Sequence, residues 1–216
     1  NYIKNLKTYN TFNAFFIEPR LNLSYTIAKN IKAELLGEFK SQSTNQIIDL
    51  EQNFLGIEKR RWILSDNDRL PITKSKQASL GLNYQKSSLY IGAEGFYKKV
   101  DGISTATQGF QNKDQFNGEI GEYQVWGTEF LINKKTSTYS IWMTYTYNIN
   151  NYYFDDLVPH EFPNNLDIKH TVTAAGTYTF RNFKFGLGAN YHSGKPYTEP
   201  LKDNPIDTDV FPNKIN

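Results

Sequence analysis

The chain lacks cysteine altogether and has a single methionine among its 216 residues. With no cysteine there is no disulfide framework and no thiolate-ligated metal site, although this absence names no compartment. Long apolar runs are missing as well. No stretch approaches the roughly 20 apolar residues that a spanning helix needs, and mean hydropathy is −0.61. A helical membrane protein is thereby excluded. A membrane barrel is not, because each of its strands needs an apolar side chain only at every second position. An excess of one charge is also absent: 24 Lys+Arg against 22 Asp+Glu leave a formal +2. The densest basic cluster is Glu58-Lys59-Arg60-Arg61, so nothing points to nucleic acid as a partner. The opening segment, Asn1 to Asn10, is polar and carries no signal peptide. An exported protein is therefore expected here in mature or truncated form.

Catalytic signatures are equally sparse. His160, His170 and His192 are the only histidines, and their spacing matches no metal motif. Neither a Gly-x-Ser-x-Gly elbow nor a phosphate loop occurs. Asp155-Asp156 and Asp66-Asn67-Asp68 are acidic loop signals, but they do not follow the EF-hand pattern and read as solvated loop residues. The chain is expected not to be an enzyme, and no metal or cofactor is expected. An outer-membrane barrel enzyme lacks any recognisable nucleophile–base arrangement.

What is present is aromatic. Tyr, Phe and Trp number 15, 15 and 3, which is 15% of the chain. Eight segments alternate with period two, as a sheet with unlike faces requires. In the first, Ile17, Pro19, Leu21, Leu23 and Tyr25 oppose Glu18, Arg20, Asn22 and Ser24. The second sets Ile31, Ala33, Leu35, Gly37 and Phe39 against Lys32, Glu34, Leu36, Glu38 and Lys40. The third runs from Ala78 to Gln85. The fourth sets Leu89, Ile91, Ala93, Gly95 and Tyr97 against Tyr90, Gly92, Glu94, Phe96 and Lys98. The others cover Val125 to Ile132, Ile141 to Tyr147, Val172 to Phe180 and Phe183 to His192. A helix would scatter Lys32, Glu34, Glu38 and Lys40 around its cylinder. Pro19 cannot donate to a ladder and is expected near a rim or a bulge.

Connections alternate in length. Tight turns fall at Ala28-Lys29-Asn30, Lys86-Ser87, Lys134 to Thr138 and Arg181-Asn182. Long links fall at Ser41 to Lys76, Val100 to Glu122 and Asn148 to His170. Outer-membrane barrels alternate in this way because periplasmic turns are short and outer loops long, whereas a soluble sandwich has no reason to put its long loops at one end. Aromatics at outward strand ends, among them Tyr25, Tyr84, Tyr97, Tyr147, Tyr178 and Tyr191, suit the boundary between headgroups and hydrocarbon. The sequence therefore predicts an all-β fold, a segment of an antiparallel transmembrane β-barrel with about eight strands. Glu18, Arg20, Glu34, Glu38, Glu94, Lys98, Glu129 and His192 are expected to face the lumen. Such charges suit a wide hydrated lumen and equally suit pairing inside a small closed barrel.

In the long links Trp62 follows Arg60-Arg61, and Tyr152-Tyr153-Phe154 lies beside Asp155-Asp156. Rings with nearby charge suit a sugar or an aromatic chelate. The plainer reading is that these rings pack the loops against one another. Ser193 to Thr198 is expected to cap the outer rim, with Pro196 ending a strand and Lys195 open to lipid headgroups or a ligand.

In order along the chain stand Ile17-Glu18-Pro19-Arg20-Leu21, Asn22-Leu23-Ser24-Tyr25, Leu70-Pro71, Ala93-Glu94-Gly95-Phe96-Tyr97-Lys98 with Gly102, and Gly127-Thr128-Glu129-Phe130. Tyr145-Thr146-Tyr147, Phe162-Pro163, Asp167 with His170, and Ser193-Gly194-Lys195-Pro196-Tyr197-Thr198 follow. On these residues the chain resembles the C-terminal part of the barrel of a TonB-dependent outer-membrane receptor, of the Bacteroidetes type. The resemblance implies a 22-stranded barrel around a plug, of which residues 1–216 would be a partial barrel domain without plug, TonB box or closing strand. It implies TonB-dependent uptake of a scarce nutrient (siderophore, vitamin or glycan) across the outer membrane of a Gram-negative bacterium. Partners implied are outer-membrane lipid, the small-molecule nutrient, and TonB through the plug; a lipoprotein over the outer loops stays open. Ligand-contact candidates on the outer loops and rim are Arg61, Trp62, Tyr152, Tyr153, Phe154, His170, Lys195 and Tyr197. Two other readings remain: a self-contained eight-stranded surface or adhesion protein, and a soluble aromatic-rich β binding module.

Overall fold

A computed structural model describes residues 15–49, 59–65, 70–108, 118–201 and 204–211. In chain order its elements are β1 (Arg20–Ala28), β2 (Ile31–Gln42), β3 (Thr44–Asp49), β4 (Lys59–Leu64), β5 (Thr73–Lys86), β6 (Leu89–Ser104), a helical turn α1 (Thr105–Gln108), β7 (Ile120–Lys135), β8 (Tyr139–Tyr153), β9 (Glu161–Pro163), β10 (His170–Phe180), β11 (Phe183–His192), β12 (Tyr197–Leu201) and β13 (Asn204–Phe211). Eight of these make one antiparallel meander in the order β1-β2-β5-β6-β7-β8-β10-β11, with short β9 added to the outer end of β8. Two small hairpins, β3–β4 and β12–β13, stand apart from it. The eight alternating segments read from the sequence are the eight strands of the meander. Among the described residues the sheet does not close on itself, since β1 and β11 are its edges.

Tight turns fall where expected. Ser87-Ser88 and Arg181-Asn182 are two-residue turns with Ser87 and Arg181 at φ 52° and 51°. That left-handed region fits a turn whose twist must match the flanking strands. The long links differ from simple loops, because the strands run on past the alternating stretches. The link Ser41 to Lys76 contains the end of β2, the β3–β4 hairpin and the start of β5, while β6 and β7 extend to Ser104 and from Ile120. The link Asn148 to His170 likewise holds the end of β8 and all of β9. Polar residues mixed with a few apolar ones, among them Val100, Ile103 and Tyr152, carry these extensions, so hydrophobic alternation did not mark them. Tyr197–Leu201 and Asn204–Phe211 pair as the β12–β13 hairpin. Pro19 precedes β1 and its carbonyl accepts from the Phe39 N–H at 3.0 Å, so its missing N–H costs the ladder nothing. The register irregularity of β1 lies elsewhere, between Thr26 and Ala28.

Register fixes the two faces. One line runs Leu23, Leu35, Leu80, Gly95, Thr128, Tyr147, His170 across the sheet, and the next runs Tyr25, Ala33, Leu82, Ala93, Phe130, Tyr145, Val172, Tyr191. The line between them belongs to the opposite face: Ser24, Glu34, Gly81, Glu94, Glu129, Thr146, Thr171, His192. Among the described residues the apolar face has no covering layer. Leu80, Leu82, Phe185 and Leu187 are 59, 52, 59 and 82% exposed. A contiguous exposed apolar face of this extent marks a surface built for another partner or for lipid. On β6 its run from Leu89 to Tyr97 gives way to Lys99 and Asp101, and on β7 Trp126 gives way to Gln124 and Glu122. An apolar run of about nine residues matches the 9–11 a tilted membrane strand requires.

The buried core is small and sits at the long-loop end. Val100, Ile103, Tyr152, Phe154 and Leu157 form it, with Tyr123 and Phe162 packed against it. Gly121 lies directly beneath the Phe154 ring, where an added Cβ would collide with that ring and with the Tyr153 carbonyl. Gly102 (φ 76°) forms the β6 irregularity against Ile72, whose carbonyl a Cβ there would meet at 2.8 Å. Only glycine meets both demands without strain.

Candidate ligand-binding wall

The polar face curves into a trough of about 840 Å³. Arg20, Glu38, Gln77, Glu94, Phe96, Lys98, Tyr123, Glu129 and Asn150 are among its lining residues. Period-two alternation places them: residues two apart on one strand share a face, and neighbouring strands bring their own polar sets into line. Near β1, Glu38 takes Arg20 Nε at 3.0 Å and Lys40 Nζ at 2.7 Å, and it accepts from Gln77 Nε2 at 2.8 Å. Glu34 pairs with Lys32 at 3.0 Å and accepts from Asn83 at 3.0 Å, and Asn83 in turn accepts from the Tyr90 hydroxyl.

The centre of the trough differs. Glu94 and Glu129 are direct cross-strand partners on β6 and β7, and Lys98 lies four residues beyond Glu94 on the same face. Among the described residues none of these three has an ion-pair partner. Directly opposed like charges destabilise a sheet unless something cationic or donor-rich lies over them. Phe96 occupies the line between Glu94 and Lys98, and its ring reaches over Gly127, where an added Cβ would sit 3.0 Å from Phe96 Cζ. Further along, Asn150 Oδ1 is buried without a hydrogen-bond partner among the described residues. The wall thus offers two carboxylates, a ring face, an ammonium and an open amide acceptor to a polar ligand.

The residues anticipated from sequence fall into several groups. Arg20, Glu38, Glu94, Lys98 and Glu129 come together in the trough. Glu34 lies nearer the tight turns, in a smaller hollow with Lys32 and Asn83. Glu18 precedes β1, and its carboxylate accepts from the Ser41 N–H at 2.8 Å and hydroxyl at 2.6 Å, continuing the ladder along β2. His192 stands on the polar face at the sheet edge, with Nδ1 2.9 Å from the Ser193 carbonyl. His170 is placed on the outward face, which sets it apart from the trough. Its Nδ1 is hydrogen-bonded to the Tyr145 hydroxyl at 2.9 Å, and its ring lies 5.2 Å from that of Tyr147.

Tyr152 and Phe154 are 3 and 1% exposed inside the rim cluster. Loop packing therefore occupies two of the rings proposed for ligand contact, of which Tyr152 also lines the trough. Tyr153 points outward and donates to Glu161 at 3.0 Å. Trp62 on β4 is exposed, as are Lys195 and Tyr197 beside β12. Arg61 is paired with Ile47 in the β3–β4 hairpin. Asp66-Asn67-Asp68 lies outside the described residues.

Several trough residues carried a signal that pattern reading passed over. Phe96 is an aromatic in a polar set, and Gln77 and Asn150 lie just beyond the stretches that alternate cleanly. Behind the trough, Asp167 in the loop after β9 is buried and accepts from the Asn150 N–H at 2.9 Å. Burial pushes its carboxyl above the usual range, against the opposing pull of that hydrogen bond and of Lys169. Among the described residues no group of three His, Asp or Glu is placed to hold a metal ion.

The family described as TonB dependent receptor-like, beta-barrel matches residues 5–211. No curated protein matches the sequence. Receptors of that family are transporters of Gram-negative outer membranes, engaged in nutrient uptake. A match spanning nearly the whole chain makes this protein a member of the TonB-dependent receptor β-barrel family.

Proposed function

We propose that residues 1–216 form part of the barrel wall and outer loops of an outer-membrane receptor that imports a scarce nutrient, a siderophore, vitamin or glycan. TonB supplies the work through a plug in the lumen. The observation that carries this reading is the pair of unlike faces. An unshielded apolar face would be costly in water and is satisfied by lipid, while on the opposite face Glu94, Lys98 and Glu129 have no ion-pair partner among the described residues and suit a hydrated lumen. The edges β1 and β11, unpaired among the described residues, favour the wall of a larger barrel over an eight-stranded barrel closed on itself. The exposed Leu80, Leu82 and Leu187 speak against a soluble binding module.

In this orientation the tight turns face the periplasm and the β3–β4 hairpin, α1 and β9 face the exterior. Ligand contacts fall to the trough (Glu94, Phe96, Lys98, Glu129 and Asn150), to Arg61, and to the exposed Trp62, Lys195 and Tyr197 near the rim. A lipoprotein above those loops would be a further partner.

The test is growth of a strain deleted for the parent gene on limiting ferric siderophore, cobalamin or glycan, each with and without TonB. The expected result is a defect on one nutrient class that TonB loss reproduces. Equal growth of deletion and parent strains on all three, or a defect indifferent to TonB, would remove the proposal.

A further inference from the structure

The outward face of β5 does not end in apolar side chains. Its row Tyr84, Leu82, Leu80, Ala78 continues two steps further as Lys76 and Lys74, and both ammonium groups are exposed. Residues two apart on a strand lie about 7 Å from one another, so the two cations stand one above the other where the apolar band stops. Lys74 Nζ lies 5.6 Å from the Phe16 ring, and Lys76 has no carboxylate partner among the described residues. Lys76 is the direct cross-strand partner of Lys99, a like-charge contact that costs stability. The nearby carboxylates offset this only in part: Asp101, the cross-strand partner of Lys74, and Glu122 are both drawn to Lys99. Among the described residues three lysines therefore meet two carboxylates, so one net positive charge is left at the boundary of the band and neither Lys74 nor Lys76 has an ion pair.

Beneath them the surface is shallow. Gly37 is the partner of Ala78, Gly95 of Leu80, and Ala33 and Ala93 flank Leu82. A Cβ built at Gly95 would meet nothing within 4 Å. A strip of small side chains thus runs down the lipid face from the two lysines.

We propose that Lys74 and Lys76 are the docking site for a phosphate-bearing lipid of the outer leaflet, its phosphate on the two ammonium groups and an acyl chain laid along the Gly37–Ala78–Gly95 strip. Lysine binds phosphate as a point charge, and its stem keeps the charge at the interface while the methylenes stay in the band. The inference rests on the orientation given above, with long connections outside. It adds a lipid site on the outer surface, separate from the nutrient path.

The experiment uses the full receptor in detergent, with native mass spectrometry of bound lipid and heat-modifiable migration as the folding control. The probes are bisphosphorylated lipid A, its dephosphorylated form with the same acyl chains, and inorganic phosphate. Each lysine near an anionic lipid surface is worth about a fivefold gain in affinity, so Lys74→Gln/Lys76→Gln should lower retention of the phosphorylated lipid roughly 25- to 30-fold. Lys86→Gln, on the same face at the other end of β5, should leave it unchanged. Equal retention by the double variant, equal retention of the dephosphorylated lipid, or displacement of the lipid by inorganic phosphate at equal concentration would each overturn the site. Sensitivity to Lys86→Gln in place of the pair would overturn it by inverting the orientation. If lipid selectivity fails while TonB-dependent uptake persists, the transport reading stands and only the lipid site falls.

Discussion

Phe154→Ala is expected to open the rim while leaving the barrel wall intact. The ring is 1% exposed and stacks on Phe162 at 6.0 Å, with Tyr152 6.0 Å away on another side. Truncating a buried Phe to Ala costs about 3–5 kcal/mol in lost burial and residual cavity. Gly121 cannot fill the space, because its backbone already lies against the ring. At about 1.4 kcal/mol per factor of ten, the closed rim should lose two to nearly four powers of ten in population relative to open forms. The rim cluster has only five buried apolar residues among those described, so a loss of that size approaches everything that holds it shut. The meander below is held by continuous antiparallel ladders and should not respond. Hydrogen exchange on the detergent-solubilised receptor separates the two. Amides of Asn150, Phe154, Leu157 and Asn164, which bond within the rim, should exchange much faster in the variant. Peptides covering 126–147 should be unaltered. Unchanged rim exchange would refute the claim that Phe154 anchors the outer connections. Parallel loosening of 126–147 would refute the independence of rim and wall.

Two further outcomes follow from the same geometry. Leu82→Arg puts a charge in the middle of the outward band and should cost about 2–4 kcal/mol, whereas Glu129→Gln on the wet face should change stability by less than about 0.5 kcal/mol. Denaturant titration of the receptor folded into lipid vesicles measures both, and equal effects would cancel the assignment of faces. Asp167 gives a pH signature in the loop outside the membrane. Its carboxyl is raised by burial, so its contribution to the closed rim is complete below the ordinary Asp range and is lost as pH rises through the raised value. Rim opening followed by the Ile103 methyl resonance in urea should therefore become easier from acid towards neutral pH, and Asp167→Asn should flatten that dependence. An unchanged profile in the variant would assign the effect to another group.

How much of this was legible beforehand depended on the physical carrier of each feature. The eight strands of the meander were readable because Leu21-Leu23-Tyr25, Leu80-Leu82-Tyr84 and Phe183-Phe185-Leu187 repeat with the period of a pleated strand, and lipid on one side makes that alternation obligatory. Above the band the alternation lapses, with Val100, Ile103, Tyr123 and Tyr152 packed into the rim among polar neighbours, so the outer halves of β5 to β8 and the whole of β3, β4, β9 and β13 carry no such mark. The loop rings show the same limit. Tyr152 and Phe154 suited ligand stacking but read more plainly as loop packing, and only the fold of β9 back onto β8 places Phe162 against them. His170 was taken for a rim contact from its position in a long link. Its register opposite Tyr147 turns it outward, and one residue either way would have turned it into the lumen.

The amino-acid order by itself determined the class of sheet, its two solvents and the alternation of short and long connections, because each is written in near neighbours along one strand. The tertiary structure decided which side chains meet across strands: that Glu94 faces Glu129, that Lys76 faces Lys99, and that Glu18 serves the ladder at Ser41. Those pairings depend on register. Register is set by turn geometry and by contacts between residues far apart in the chain, which a period-two pattern does not record.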